Sequence, residues 1–214
     1  MKAGEKKTRQ MGDRSFRCMV WMYKIADFVH LANPRKRLEK AGLKEGMVIV
    51  DYGCGPGRYA IPSAETVGAR GRVFAVDVQP LAVQMVKQKA ARKSLSNVEA
   101  ILLDSYATPV EASIVDIVLL IDTLHLIDDC GELFREIRRL LRPDGAIFMD
   151  PGHMKAEKAK AIIEETGLFE IARFFGSDML VVPKENTQSP PDGGDMQAEQ
   201  GRLGGSRTKG EVDR

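Results

Sequence analysis

Residues 47–62, MVIVDYGCGPGRYAIP, constrain the fold of this chain more than any other stretch. The apolar run at 47–50 has the length and the β-branched content of a buried parallel strand, and Asp51 follows at its carboxyl end. Three glycines come next, at every second position: Gly53, Gly55 and Gly57. Glycine permits positive φ angles and lets a ligand approach the backbone closely. The stretch therefore predicts a strand, a cofactor-binding loop and a helix.

The spacing of the glycines restricts the kind of cofactor. A dinucleotide-binding loop has the pattern G-x-G-x-x-G/A, in which the last small residue lets the helix pack closely on the strand. Counted from Gly53 and Gly55, that position holds Arg58, which is a poor fit. The pattern present is Asp51-x-Gly53-x-Gly55-x-Gly57. On these residues alone, a strand-to-helix turn without a ligand stays the alternative.

Strand and helix patterns alternate through most of the chain. Apolar runs predict further strands at 73–77, 98–103, 114–121 and 146–149. Helical patterns lie between and after them, at 59–67, 80–91, 133–141 and 155–165. The third of these helices is predicted to stop at Pro143-Asp144-Gly145, and residues 168–175 and 178–182 predict a terminal hairpin. The alternation indicates an α/β fold with a doubly wound sheet.

Acidic residues also end the second and third predicted strands. Asp77 lies twenty residues after Gly57, where nucleoside-binding α/β folds place the carboxylate that accepts hydrogen bonds from both ribose hydroxyls. Asp104, with Ser105 beside it, follows the third strand. Each acid alone is more often a helix cap or a solvated group than a ligand-binding residue. Because parallel strands end at one edge of a sheet, the series with Asp51 favours a ligand site there.

Composition limits the protein class. With 43% hydrophobic residues among 214, the chain can bury one sizeable core. The net charge of +2 predicts no general affinity for nucleic acids, although residues 1–40 hold eleven Lys or Arg against four Asp or Glu. Cys18, Cys54 and Cys130 form no CxxC pair, which argues against disulfides and structural zinc. No apolar run reaches the roughly 18 residues of a membrane span, so we expect a soluble, cytoplasmic protein.

The two ends of the chain differ from the middle. A helix is predicted from Asp13, as its N-cap, to a stop at Asn33-Pro34, and it suits either a lid over the ligand site or a structural support. As a lid, it would shield the cofactor with Trp21 or Tyr23 and attract an anionic ligand with Arg14, Arg17 or Lys24. Residues 184–214 hold too few apolar residues to form a core, which predicts disorder. We therefore expect an N-terminal extension or lid at 1–34, an α/β domain at 35–183 and a tail at 184–214.

Taken together, these motifs resemble those of the class I methyltransferases that use S-adenosylmethionine, in particular the type 11, or UbiE-like, small-substrate group. The resemblance covers residues 35–182. It rests on the glycine motif at 51–57, Asp77, Asp104, the stretch 122–129 and the LRPDG sequence at 141–145. It implies a Rossmann-like fold with a seven-stranded sheet in the order 3-2-1-4-5-7-6, in which strand seven is antiparallel.

The resemblance also implies S-adenosylmethionine as methyl donor and S-adenosylhomocysteine as product. The residues implied to bind the cofactor follow the first four strands: Asp51, Gly53, Gly55, Gly57, Asp77, Val78, Asp104, Ser105 and Asp122. Asp77 would hold the ribose, Asp104 with Ser105 the adenine edge. Asp51 would face the methionine end, and Asp122 would lie beside the methyl group. An acid near the loop suits an ammonium and a sulfonium, whereas it would repel a pyrophosphate.

Methyl transfer from a sulfonium is an in-line displacement, so alignment supplies much of the rate and a base is needed only for a protonated acceptor. His125, His153 and Asp122 are the candidate catalytic residues, with a packing role as the alternative for each histidine. We assign no metal, since Asp122, Asp150 and His153 match no familiar ligand spacing. Cys54 is more simply a small packing residue under the loop than a reactive thiol.

A small molecule is the expected acceptor. The basic N-terminal face leaves an RNA methyltransferase open, and a noncatalytic module that binds S-adenosylmethionine is a further alternative. No Asn/Asp-Pro-Pro-Tyr sequence follows the fourth strand, which disfavours methylation of exocyclic base nitrogens. The acceptor atom and the oligomeric state are not predicted.

Overall fold

The computed structural model describes residues 12–28 and 33–184. The helices within these ranges are α1 Asp13–Phe28, α2 Pro34–Ala41, α3 Ala60–Val67, α4 Pro80–Arg92, α5 Cys130–Leu140 and α6 Ala156–Thr166. The strands are β1 Val48–Tyr52, β2 Arg72–Asp77, β3 Val98–Leu102, β4 Val115–Ile121, β5 Leu141–Asp150, β6 Phe169–Phe175 and β7 Asp178–Pro183. One turn of 3-10 helix, Leu124–Leu126, follows β4. The predicted tail and residues 1–11 lie outside the described residues.

The seven strands form one sheet in the order β3-β2-β1-β4-β5-β7-β6. The pairs from β3 through to β5 are parallel, and β7 is antiparallel to both β5 and β6. This arrangement confirms the predicted sheet order and its antiparallel seventh strand. Because five parallel strands end at one edge, the loops after them converge on a single crevice.

Helices cover both faces of the sheet. In β1, Ile49 packs with residues of α2, α3 and α4, whereas Val50 packs with residues of α5 and α6. Successive side chains of a strand point to opposite faces, so β1 is buried on both sides. That burial explains why its sequence is continuously apolar rather than alternating.

The end of α5 differs from the prediction. The helix ends at Leu140, and β5 begins directly at Leu141 instead of after Pro143-Asp144-Gly145. Pairing with β4 jumps from Val115 opposite Leu141 to Ile117 opposite Ala146, so residues 142–145 bulge out of the ladder. Proline lacks an amide hydrogen for a sheet ladder, and a bulge accommodates it without ending the strand.

The start of α1 also differs. Asp13 is the first residue of the helix and not its N-cap, because the Phe16 amide donates to the Gly12 carbonyl at 3.0 Å. The Asp13 side chain instead accepts a hydrogen bond from Gln79 Nε2 at 2.8 Å, next to the start of α4. Phe16 and Val20 of α1 pack against Ala82 of α4. The first half of α1 is thus packed on the α/β domain.

Within the two described ranges, none of the helices has the length and apolar content that crossing a membrane requires.

Candidate active site

A cavity of about 370 Å³ lies at the carboxyl edge of the parallel strands. Residues at the end of each of the first five strands or shortly after it line the cavity, among them Gly53, Asp77, Ser105, Asp122 and His153. A crevice at this edge is where open α/β sheets bind ligands. The position agrees with the ligand site that the acidic strand ends predict.

The glycine loop closes one side of the cavity. Gly53 has φ +79°, and a Cβ built there would lie 2.5 Å from both Oγ1 and Cγ2 of Thr123, which follows β4. Gly55 has φ +51° and lines the cavity, with no atom within 4 Å of its would-be Cβ. Gly53 is therefore required by packing, whereas Gly55 leaves open space for a ligand.

Asp77 holds this loop in place. Its Oδ2 accepts a hydrogen bond from the Gly55 amide and its Oδ1 accepts one from the Gln79 amide, both at 2.8 Å. Burial raises the pKa of Asp77, and the backbone hydrogen bonds counteract part of that increase. Asp77, the residue predicted to bind the ribose, thus also holds the glycine loop in place. The spacing of the residues in the sequence did not indicate this second role.

Asp51 lies inside β1, not beyond its end, and is only 3% exposed. Its Oδ2 is buried and has no hydrogen-bond partner among the described residues. Burial raises the pKa of Asp51 to about 7; a hydrogen bond from the Ala60 amide lowers it, and the charge of Asp77 raises it further. Such a carboxylate is costly to ionise without a cation nearby.

The predicted cofactor residues divide into two groups. Those that line the cavity are Gly53, Gly55, Asp77, Val78, Ser105 and Asp122. Asp51, Gly57 and Asp104 lie outside the lining. A Cβ at Gly57 would come within 2.9 Å of Val86 Cγ2, so this glycine allows the loop to pack on α4. Asp104 is exposed, whereas its neighbours Leu103 and Ser105 face the cavity.

The three candidate catalytic residues come together at one end of the cavity, where Asp122 and His153 belong to the lining and His125 does not. Asp122 Oδ1 lies 3.7 Å from His125 Nδ1 and 4.0 Å from His153 Nε2. The two imidazole rings meet edge to face, with centroids 5.1 Å apart. Asp122 adopts φ +53°, and a Cβ at Gly152 would overlap its carboxylate. The glycine after β5 therefore leaves the space that Asp122 occupies.

Sequence reasoning did not identify Arg37. Its Nε donates to Asp178 Oδ1 at 2.9 Å, its Nη1 donates to Tyr59 OH at 3.0 Å, and its Nη2 donates to Asp150. Arg37, Tyr59 and Asp150 all line the cavity. The only signal for Arg37 was the basic PRKR sequence before β1, which does not indicate partners more than a hundred residues away.

Phe16 was also not identified. It is 3% exposed and lines the cavity from α1. Trp21, which we expected to shield the cofactor if α1 is a lid, is 63% exposed and lies outside the lining. The side chains of Tyr23 and Lys24, proposed for the same lid, lie outside the described residues. Among the side chains of α1 that the structure describes, the one that lines the cavity is Phe16, in the first turn.

Known proteins resemble this chain across most of the α/β domain. A family model described as a methyltransferase domain matches residues 43–177, which is more than half of the chain. Nocamycin O-methyltransferase of Saccharothrix syringae is 32% identical over 113 residues, or 53% of this chain and 40% of the relative. Demethylmenaquinone methyltransferase of Staphylococcus aureus strain MRSA252 is 31% identical over 114 residues, or 53% and 46%. The chain spans less than half the length of these two curated relatives.

One solved structure shares the fold over a longer stretch. The crystal structure of a SAM dependent methyltransferase from Aquifex aeolicus superimposes with a TM-score of 0.65 at 24% identity, covering 70% of this chain and 88% of the other. At that identity the likeness concerns the fold alone.

Proposed function

Since the chain belongs to the class I S-adenosylmethionine-dependent methyltransferase family, we propose that it transfers the methyl group of S-adenosylmethionine to a small-molecule acceptor bound in the cavity. The family match and the sheet order confirm the predicted family, fold and methyl donor. One observation carries the proposal. A single cavity has the Asp77–Gly55 pair on its wall and the Asp122 and His153 side chains on its floor.

The cofactor end of the proposal relies on charge and backbone geometry. Both Asp77 oxygens retain a lone pair after accepting from Gly55 and Gln79, so the carboxylate can also accept from two ribose hydroxyls. Beneath the loop, the unpartnered Asp51 oxygen supplies negative charge for the ammonium of the methionine moiety. Val78 supplies an apolar contact at the adenine end.

The acceptor end of the proposal relies on where the methyl group would point. With the ribose at Asp77 and the methionine moiety over the glycine loop, the sulfonium faces the Asp122 floor. An acceptor atom placed there forms its new bond to the methyl carbon while the carbon–sulfur bond breaks and its electrons remain on sulfur. The names of the two curated relatives, one an O-methyltransferase and one acting on demethylmenaquinone, support an acceptor that is a small organic molecule.

The test is calorimetry followed by a transfer assay. The protein should bind S-adenosylmethionine with one site per chain, and radiolabelled methyl should pass to one class in a panel of phenols, quinols, amines and RNA. Asp77→Ala should weaken both signals, and Asp144→Ala, which removes an exposed carboxylate in the β5 bulge outside the cavity lining, serves as the matched control. Absence of cofactor binding would contradict the proposal. Transfer to RNA alone would replace its acceptor class.

A further inference from the structure

Asp122, His125 and His153 form a cluster whose donor atoms all lie within 4.8 Å of one another. Asp122 follows β4, His125 lies in the 3-10 turn and His153 lies in the loop after β5. Two imidazoles and one carboxylate are a common donor set for catalytic zinc and other first-row transition metals. We propose that these three residues bind one divalent transition-metal ion, with Zn²⁺ as the representative ion.

The distances require only small movements. Zinc binds nitrogen and oxygen ligands at roughly 2.0–2.2 Å, which brings tetrahedral ligand atoms to about 3.5 Å from one another. The separations of 3.7 Å and 4.0 Å around Asp122 Oδ1 exceed this by less than about 1 Å. His153 is 83% exposed, so rotation of its side chain meets little resistance. The three donor atoms are therefore already close to the spacing of three metal ligands, and both measured distances share Asp122 Oδ1.

Two features indicate that the fold maintains this arrangement. His125 Nδ1 is buried and has no hydrogen-bond partner among the described residues, although a buried polar atom without a partner is costly. A metal ion would take up its lone pair. Asp122 occupies the left-handed region at φ +53°, where most side chains are strained, and Gly152 leaves room for its carboxylate. A left-handed backbone conformation and an unpartnered imidazole nitrogen therefore occur at the same three-residue cluster.

The chain supplies three ligands, so at least one coordination position stays open. Because Asp122 and His153 line the cavity, that position faces the space for the acceptor. A hydroxyl oxygen bound there would lose its proton to solvent more readily and then attack the methyl carbon, while the electrons of the carbon–sulfur bond pass to sulfur. This role rests on the proposed methyl transfer, whereas metal binding itself does not. The acceptor class it selects is a hydroxylated molecule.

Metal binding can be measured without any methyl transfer. Chelator-treated, full-length protein is titrated with Zn²⁺ by calorimetry, and with Co²⁺ while its visible absorption is recorded. One ion should bind per chain, and its affinity should decrease as the pH falls because protons compete for imidazole. His153→Gln should weaken Zn²⁺ binding at least about tenfold. This variant changes an exposed side chain, so its fold should persist, and its S-adenosylmethionine affinity reports that directly.

Matched variants separate this site from the other donors of the chain. His30→Gln removes the remaining histidine and Asp128→Asn removes an exposed carboxylate of the same loop, and both should bind Zn²⁺ like the wild type. Unchanged Zn²⁺ affinity in a His125→Gln, His153→Gln double variant would overturn the site. A thiolate charge-transfer band in the Co²⁺ spectrum would also overturn it by placing the ion on a cysteine. If metal binds but chelation leaves transfer unchanged, the acceptor role is wrong and the metal site stands.

Discussion

Backbone hydrogen bonds organise the cofactor end of the cavity, whereas side chains form the acceptor end. At the cofactor end, backbone amides of Gly55 and Gln79 hold Asp77 at hydrogen-bonding distance, so the geometry is set before a ligand arrives. At the acceptor end, Asp122 Oδ1 lies 3.7 Å from His125 Nδ1 and 4.0 Å from His153 Nε2, and both distances are too long for hydrogen bonds. The fold therefore holds the groups that would bind the methyl donor in place in advance, whereas the side chains at the acceptor end can still adjust to a ligand.

The largest expected effect is on the free energy of unfolding and comes from Gly53→Ala. This change disturbs the packing of the glycine loop against Thr123, which follows β4. The alanine would have to adopt φ +79°, and its Cβ would lie 2.5 Å from the Thr123 side chain. The glycine loop or the segment after β4 must therefore move. We expect a loss of about 3 kcal/mol or more in the free energy of unfolding, measured with denaturant. Gly167→Ala, at φ +68° with open space around it, is the control and should lose only about 1 kcal/mol. Equal losses would mean that the Thr123 contact is unimportant.

A second change tests the cofactor end alone. Asp77→Ala removes the acceptor of the Gly55 and Gln79 amides as well as the predicted ribose ligand. S-adenosylmethionine binding should weaken by about 1.5–3 kcal/mol in calorimetry, the usual worth of hydrogen bonds to a charged group. Asp77→Asn keeps one acceptor oxygen and should fall between the two. Wild-type affinity in the alanine variant would exclude Asp77 from the site.

At the cofactor end, Asp51 has a buried oxygen without a hydrogen-bond partner among the described residues. The pH dependence of the free energy of unfolding should reveal this carboxyl group. Its pKa of about 7 in the folded protein exceeds the ordinary value of 3.8 for an aspartate, so the folded state holds this proton more tightly than the unfolded state. The free energy of unfolding that Asp51 contributes is therefore highest below about pH 4 and is lost as the pH rises to about 7.

Asp51→Asn should remove that loss. At pH 8 we expect the variant to be more stable than the wild type by about 1–2 kcal/mol, because the amide carries no charge but keeps a buried N–H group. At pH 4, where the folded wild type already holds the Asp51 proton, the variant should be no more stable than the wild type. Cofactor affinity should fall at pH 8, since the ammonium loses its countercharge. Denaturant unfolding at both pH values checks the first result, and equal stability at pH 8 would contradict the assignment.

The smallest effect on cofactor affinity should come from a change in α1. Phe16→Ala opens the cavity wall, so methyl transfer should slow while S-adenosylmethionine affinity falls less than tenfold, about 1.4 kcal/mol. Trp21→Ala, at an exposed position of the same helix, is the control and should change neither quantity. Parallel loss of cofactor binding and of cooperative melting in Phe16→Ala would make α1 a structural support and not a lid.

Much of the cofactor end could be predicted because its signals are local. Gly53, Gly55 and Asp77 lie in or directly after two apolar strands, and strand periodicity with glycine spacing reports such neighbours. Boundaries were less accurate: β1 extends to Tyr52, which moves Asp51 from the predicted strand end into the buried ladder. Propensity does not indicate where a strand stops when both faces remain buried.

The α/β alternation, the glycine loop, the acidic strand ends and, through the motifs, the family can all be read from the order of the residues. Folding in three dimensions places Ser105 and not Asp104 in the cavity lining, and it brings His125 and His153 together at Asp122. It also decided that Arg37 reaches Asp178, a residue 141 positions away. Periodicity reports whether a residue is buried near its own strand or helix, whereas the meeting of distant side chains depends on how whole elements pack across the sheet.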